Sequence, residues 1–262
     1  MKYDITKLHT VQQELLDFFV DYCNKHNYQY FLVYGTALGA YRHKGFIPWD
    51  DDIDVGMPRD DYDRFVSMFK ENDKYVLQNE RTEENWFLSF SKIRKKGTTF
   101  VERYADGIYD SNGIYIDVFP LDFLDCKQRS FPLQCYLKHC LKFYSCRSLY
   151  RRRGFIKYLL EFVLCVPIFI LGNKRLLRIL NKHCVGKCIR DNAKYIVEYD
   201  DANIQCLDYD LFFPPKQLTF EGKTYNCPNR ITDYLTALYG ETYMELPPEK
   251  ERITHEPIKI EF

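Results

Sequence analysis

Apolar positions recur along the chain in two distinct rhythms. Leu8, Val11, Leu15, Phe18, Phe19 and Tyr22 fall at three- and four-residue steps, which predicts an amphipathic helix over residues 6–26. Asn27–Gln29 breaks it before an apolar strand at Tyr30–Tyr34. Gly35 then gives a tight turn, and Thr36 is placed to cap a short helix at Ala37–Tyr41. After the basic loop Arg42, His43, Lys44, the period changes to two. Asp52 and Asp54 alternate with Ile53 and Val55, so a strand would present both carboxylates on one face and bury the other. Pro58 ends that strand and a helix is expected over Arg59–Asn72. Phe87–Arg94 and Thr98–Arg103 read as a hairpin turned at Lys96–Gly97. In Gly113–Asp122, GIYIDVFPLD, Tyr115, Asp117 and Phe119 share one strand face and Ile114, Ile116 and Val118 the other.

Residues 126 to about 200 are basic and helical in pattern. Their segment FIKYLLEFVLCVPIFILG has an uncharged run, Phe162–Gly172, too short to span a bilayer. A buried helix kinked at Pro167 is expected. A peripheral membrane contact through 151–172, led by Arg151, Arg152 and Arg153, is the second reading. The last third carries a hairpin, LTFEGKTYNCP, turned at Glu221–Gly222–Lys223, and a helix Ile231–Tyr239 ending at Gly240.

Composition narrows the class. With 262 residues, 46% hydrophobic and 28% charged, the chain suits one large core or two modest ones. A formal net charge of zero argues against a nucleic-acid partner held by a general phosphate field. The first residues lack a charged and then apolar leader, and with ten cysteines this suggests reduced thiols in the cytoplasm. Cys135, Cys140 and Cys146 fall near His139, but without a paired CxxC spacing, so buried thiols are expected rather than a zinc site.

The candidate chemistry lies in the acidic strand. Asp52 and Asp54, one strand step or roughly 6–7 Å apart, suit one or two hard divalent cations. Asp117, flanked by aromatics on an apolar strand, needs a buried partner, either that metal or a Lys or Arg. Lys92 and Arg94 share a face that could grip an anionic donor, and the Gly35–Thr36 helix start could hold a phosphate. An EF-hand fails, because Val55 stands where the sharp-turn glycine belongs and Pro58 interrupts the loop. A nucleotide-sugar glycosyltransferase stays open, although only about fifty residues precede its Asp-x-Asp. A nucleotidyltransferase-type site accounts for every part in order: strand, Gly-Thr turn, helix, Asp-x-Asp strand and a third acid on a later strand.

The stretch GTALGAYRHKGFIPWDDDIDVGMPRDDYDRF resembles the signature of the LicD family of lipopolysaccharide and teichoic-acid cholinephosphotransferases, related to fukutin-like proteins. SKIRKKGTT, IDVFPLD, the FEG–CP hairpin and YGETYMELPP with its downstream His add to the resemblance, which covers 8–125 and 207–255. It implies an α+β, nucleotidyltransferase-like mixed sheet flanked by helices, with a helical insertion. The division would be a catalytic core at 1–125, a basic insertion at 126–206 and a completing part at 207–262. It implies transfer of a phospho-substituent from a CDP-linked donor to a glycan or lipid-linked glycan acceptor, with Mg2+ or Mn2+. Asp52, Asp54 and Asp117 would be the ligands, with Asp50 an extra one. Gly35, Thr36, Arg42 and Lys92 would lie near the donor, with Lys44, Arg94 and His255 as further binding residues. A non-catalytic glycan- or nucleotide-binding protein of the same fold is the alternative from another class.

Overall fold

The structure, a computed structural model, describes residues 3–103, 107–109, 112–127, 131–146, 154–184, 188–199, 204–252, 254–255 and 257–262. It is a mixed α+β architecture. Its main sheet runs in the order β1 (Phe31–Leu32), β2 (Asp54–Pro58), β6 (Tyr115–Leu124), β4 (Ser91–Lys95), β3 (Tyr75–Gln78). Only β2 and β6 lie parallel, and their register sets Asp54 directly beside Asp117. On its other side β6 pairs antiparallel with β4, which sets Lys92 opposite Asp117. All ten residues of β6 are buried, as expected of a central strand covered on both faces.

Helix α1 (Ile5–His26) follows the predicted periodicity: Leu8, Leu15, Leu16, Phe19 and Cys23 are buried along one stripe. Asp4 accepts from the Thr6 and Lys7 amides at its start, and Asn27 closes it in the left-handed conformation. Helices α2 (Tyr34–Arg42) and α3 (Arg59–Met68) flank β2. A second core gathers under α4 (Pro132–Ser145) and α7 (Asn173–Cys184), where Leu137, Leu141, Phe143, Leu176, Leu177 and Leu180 meet Trp86 and Phe87. Strand β7 (Tyr195–Val197), with β8 (Cys206–Asp208) beside it, returns to the far half of β6. The hairpin β9 (Lys216–Phe220) and β10 (Lys223–Cys227) and helix α8 (Ile231–Tyr239) fall where the pattern puts them.

Several expectations are corrected. The first strand shrinks to Phe31–Leu32, and α2 begins at Tyr34, before Thr36. Val33 is the cap, without a side-chain bond, and the Thr36 hydroxyl accepts the Asp54 amide at 2.8 Å instead. The acidic strand begins at Asp54, and Asp50–Ile53 is extended chain leading into it. The hairpin 87–103 does not form. Strand β4 is drawn between β3 and β6, while β5 (Thr99–Val101) pairs with β11 (Lys259–Glu261), because the buried apolar β6 is a better partner for β4 than a short polar edge. The segment after Gly154 is not a buried helix. It is two helices, α5 (Phe155–Leu164) and α6 (Val166–Leu171), broken at Cys165 ahead of Pro167, and α5 has no buried residue. Arg151–Arg153 lie outside the described residues.

Candidate active site

Side-by-side pairing of β2 and β6 brings together the three acids the sequence holds sixty residues apart. One carboxylate oxygen from each of Asp52, Asp54 and Asp117 lies within 4.8 Å of the others. Asp54 and Asp117 are fixed from the backbone: the Asp54 amide donates to Thr36, the Val33 amide to the Asp54 carbonyl at 3.1 Å, and the Asp117 amide to the Ile53 carbonyl at 2.8 Å. Gly35 lets Asp50 come close, since a Cβ there would meet Asp50 Oδ2 at 2.8 Å.

Burial pushes all four carboxyls above their ordinary range, Asp50 and Asp54 well above it and Asp117 up to about 6. Neighbouring carboxylates add to the rise at Asp50 and Asp54, while His255 opposes it at Asp52 and Lys92 at Asp117. Lys92 Nζ sits 2.8 Å from Asp117 Oδ1 but donates its hydrogen bond to Oδ2 at 3.2 Å, so Oδ1 is buried without a hydrogen bond. Three carboxylates crowded within 4.8 Å in a buried setting fit a hard divalent cation.

Lys92 is itself buried, over the Tyr115 ring at 3.5 Å and 3.5 Å from Glu102. Arg94 lies deeper, donating to Gln78 and to the Gly113 carbonyl. Both stand behind Asp117, so neither occupies the open wall expected of a donor grip. Arg42 reaches the Tyr243 and Glu245 carbonyls and lines a cavity of about 720 Å³ that also includes Gly35, Asp50 and Trp49. Thr36 is buried under Asp54. Lys44 is exposed and its carbonyl accepts from Glu221, on the side of the β9–β10 turn.

His255 is brought to the cluster from 204 positions away. Its amide donates to both Asp51 oxygens at 3.0 Å, and its Nδ1 lies 2.9 Å from Asp51 and 3.6 Å from Asp52. Burial alone would lower the imidazole; Asp51, Asp52 and Glu102 outweigh it and raise it to about 10.

Asp51 and Glu102 escaped the sequence reading. Asp51 is 1% exposed and also accepts from Tyr3 Oη at 2.9 Å, while its carbonyl accepts from Gln12. The signal existed: by period two Asp51 shares the buried face of Ile53, where a carboxylate demands partners. Glu102 is buried between Lys92, Arg94 and Tyr115. His139 Nε2 lies 2.6 Å from Glu161, and His139, Glu161 and Cys165 bring one ligand atom each within 4.8 Å of the others.

A second cavity, about 640 Å³, opens on the other side of the aspartates. Both cavities touch Tyr34, Asp52, Asp54 and His255. The cluster therefore stands at the junction of two clefts.

A family profile described as LicD/FKTN/FKRP, nucleotidyltransferase domain, matches residues 27–156. The chain is 29% identical over 252 residues to the lipopolysaccharide cholinephosphotransferase LicD of Haemophilus influenzae, covering 92% of this chain and 91% of that one. An uncharacterised Rickettsia typhi protein is 31% identical over 102 residues, 35% of this chain and 32% of its own. Another from Rickettsia prowazekii is 51% identical over 37 residues, 14% of either chain.

Proposed function

The chain belongs to the LicD family, and from that premise we propose that it is a metal-dependent phosphotransferase. It moves a phospho-substituent, phosphocholine foremost, from a CDP-linked donor to a hydroxyl of a cell-surface or capsular glycan precursor. The observation that carries this reading is the meeting of Asp52, Asp54 and Asp117 within 4.8 Å where two cavities join.

Asp52, Asp54 and Asp117 would hold Mg2+ or Mn2+, with Asp50 beside Asp52 as a further oxygen donor. The metal, when bound, supplies positive charge against the transferred and leaving phosphates. The chain's own groups do the rest. His255 and Arg42 line the cavity that would take the nucleotide and its leaving phosphate, together with Gly35 near the start of α2. Lys92 Nζ stands 2.8 Å and 3.2 Å from the two Asp117 oxygens and holds that carboxylate beside the cluster, where Asp117 can take the proton of an acceptor hydroxyl. Residues 1–125 and 207–262 act as the catalytic core. The insertion at 126–206 contributes α4 to the wall of the second cavity through Lys138, His139 and Lys142, where an acceptor would approach.

The test is release of CMP from CDP-choline by the purified chain with Mg2+. Asp54→Asn is expected to lower turnover by at least a thousandfold with an unchanged circular-dichroism spectrum, a loss on the scale of removing a principal electrostatic group. Full activity in that variant, or sugar transfer from a UDP- or GDP-sugar instead, would overturn the reading.

Among the described residues no helix is long and apolar enough to cross a membrane. For a lipid-linked acceptor we place α5 against an anionic membrane surface. Phe155, Ile156, Leu160 and Val163 are each more than 60% exposed on it beside exposed Lys157, and Lys174, Arg175 and Arg178 are exposed on α7. Glu161, the acid of α5, is engaged by His139 of α4, which ties that surface to the helix lining the acceptor cavity.

A further inference from the structure

We infer that His139, Cys140, Glu161 and Cys165 form a zinc site that clips α5 onto α4, with a ligand set separate from the aspartate cluster. His139 Nε2 and a Glu161 oxygen lie 2.6 Å apart, and one ligand atom from each of His139, Glu161 and Cys165 falls within 4.8 Å of the others. The Cys140 thiol stands within hydrogen-bond reach of the Cys165 thiol and supplies the fourth donor. His139 and Cys140 are consecutive on α4. Glu161 and Cys165 are one helical turn apart at the end of α5, so they share a face. The run from Cys135 to Cys146 has no paired spacing of its own; the site takes two of its residues and completes the set from the next helix.

The donor chemistry selects the ion. One imidazole, one carboxylate and two thiols make a borderline-to-soft set of four, which suits Zn2+. The hard Mg2+ or Mn2+ prefers oxygen donors of the kind the aspartates offer. Both thiols are buried, while His139 and Glu161 are partly exposed, so an ion can enter from solvent and be held from within. Binding would exchange the His139–Glu161 hydrogen bond for two bonds to the metal and pass the thiol protons to solvent. The packing of α5 calls for such a tie. The helix has no buried residue of its own, so hydrophobic burial holds it weakly. It meets α4 through Tyr136 Oη, which donates to the Leu164 carbonyl at 2.9 Å, and through Tyr158, whose ring lies 5.6 Å from that of Phe143. A metal bonded to both helices would offset the ordering cost that burial leaves. His139 also lines the 640 Å³ cavity with Lys138 and Lys142. The clip would therefore fix that wall of the cavity against the exposed apolar face of α5.

The test uses the full chain, reduced and freed of metal, titrated with Co2+ and then with Zn2+. A thiolate-to-cobalt charge-transfer band should appear and then be displaced by Zn2+. Cys165→Ser changes a buried position and can disturb folding, so the partly exposed His139→Gln and Glu161→Gln carry the comparison. Each should weaken Zn2+ binding at least tenfold, a scale on which even outer-sphere partners act, while Asp54→Asn leaves it unchanged. Zn2+ should also slow tryptic cleavage after the exposed Lys157 in wild type and have no such effect in His139→Gln. The absence of a thiolate band, an unchanged Zn2+ affinity in either glutamine variant, or loss of the band in Asp54→Asn overturns the site. A Cys140–Cys165 disulfide in the chain purified under reductant does the same, and cleavage at Lys157 that ignores Zn2+ overturns the clip.

Discussion

Lys92 illustrates how much a single side chain governs here. It is 1% exposed and bridges Asp117 and Glu102. Removing its charge would leave two buried carboxylates facing each other, and losing one partner of such a set costs roughly 3–5 kcal/mol. Lys92→Met should therefore lower the melting temperature by about 6–20 °C at the size of this chain, and an unchanged melting temperature would show the pair to be dispensable. Glu102 gives a pH signature. Burial would raise its carboxyl, but Lys92 and Arg94 outweigh that and hold it at about 2 against an ordinary 4.5. A depressed folded-state value means stabilisation that is complete above pH 4.5 and lost as pH falls toward 2, on the order of 3 kcal/mol. Urea titrations from pH 5 to 2.5 should show a shallower decline for Glu102→Gln than for wild type; parallel declines would remove Glu102 from that role. At this scale the acidic pattern and the family resemblance brought out Asp52, Asp54 and Asp117. They hid Glu102, which sits in no periodic pattern and acquires meaning only from Lys92 and Arg94.

At the scale of elements, periodicity located α1 and α8, and the turn residues Glu221–Gly222–Lys223 located the β9–β10 hairpin, whose strands are adjacent in the chain. It failed for β4 and β5, because adjacency in sequence suggested a hairpin while the burial of β6 decided the pairing. It also failed for α5, where an apolar composition implied a core position and the helix instead turns its side chains outward. That exposed surface makes a direct prediction. Vesicles containing phosphatidylglycerol should co-float the protein more strongly than pure phosphatidylcholine, and Leu160→Glu with Val163→Glu should abolish flotation. Monomeric protein that ignores anionic vesicles, or dimerises through α5, would refute the membrane placement.

Across the whole molecule, segments from opposite ends of the described chain converge on Asp50 and Asp51. Helix α1 sends His9 and Gln12 to their carbonyls at 2.7 Å each, and His255 takes the Asp51 carboxylate. Strand β11 then fastens the following residues to β5. Deleting residues 254–262 should leave most secondary structure in place yet lower CMP release at least a hundredfold, since Asp51 would lose its His255 partner and the extended chain carrying Asp52 its clamp. Retained activity in the shortened chain would deny that clamp a part in the chemistry.

The His255–Asp51 contact also sets an order of events during synthesis. Its partners are 204 positions apart, and a ribosome adding about 5–20 residues per second needs roughly 10–40 s to deliver the second after the first. Through that interval the nascent chain displays its acids without the histidine that joins Asp51. Closing so long a loop is among the entropically costlier steps of folding. If the proposed transfer is right, a nascent polypeptide still lacking His255 would be inactive, and competence would come only once that residue has joined Asp51.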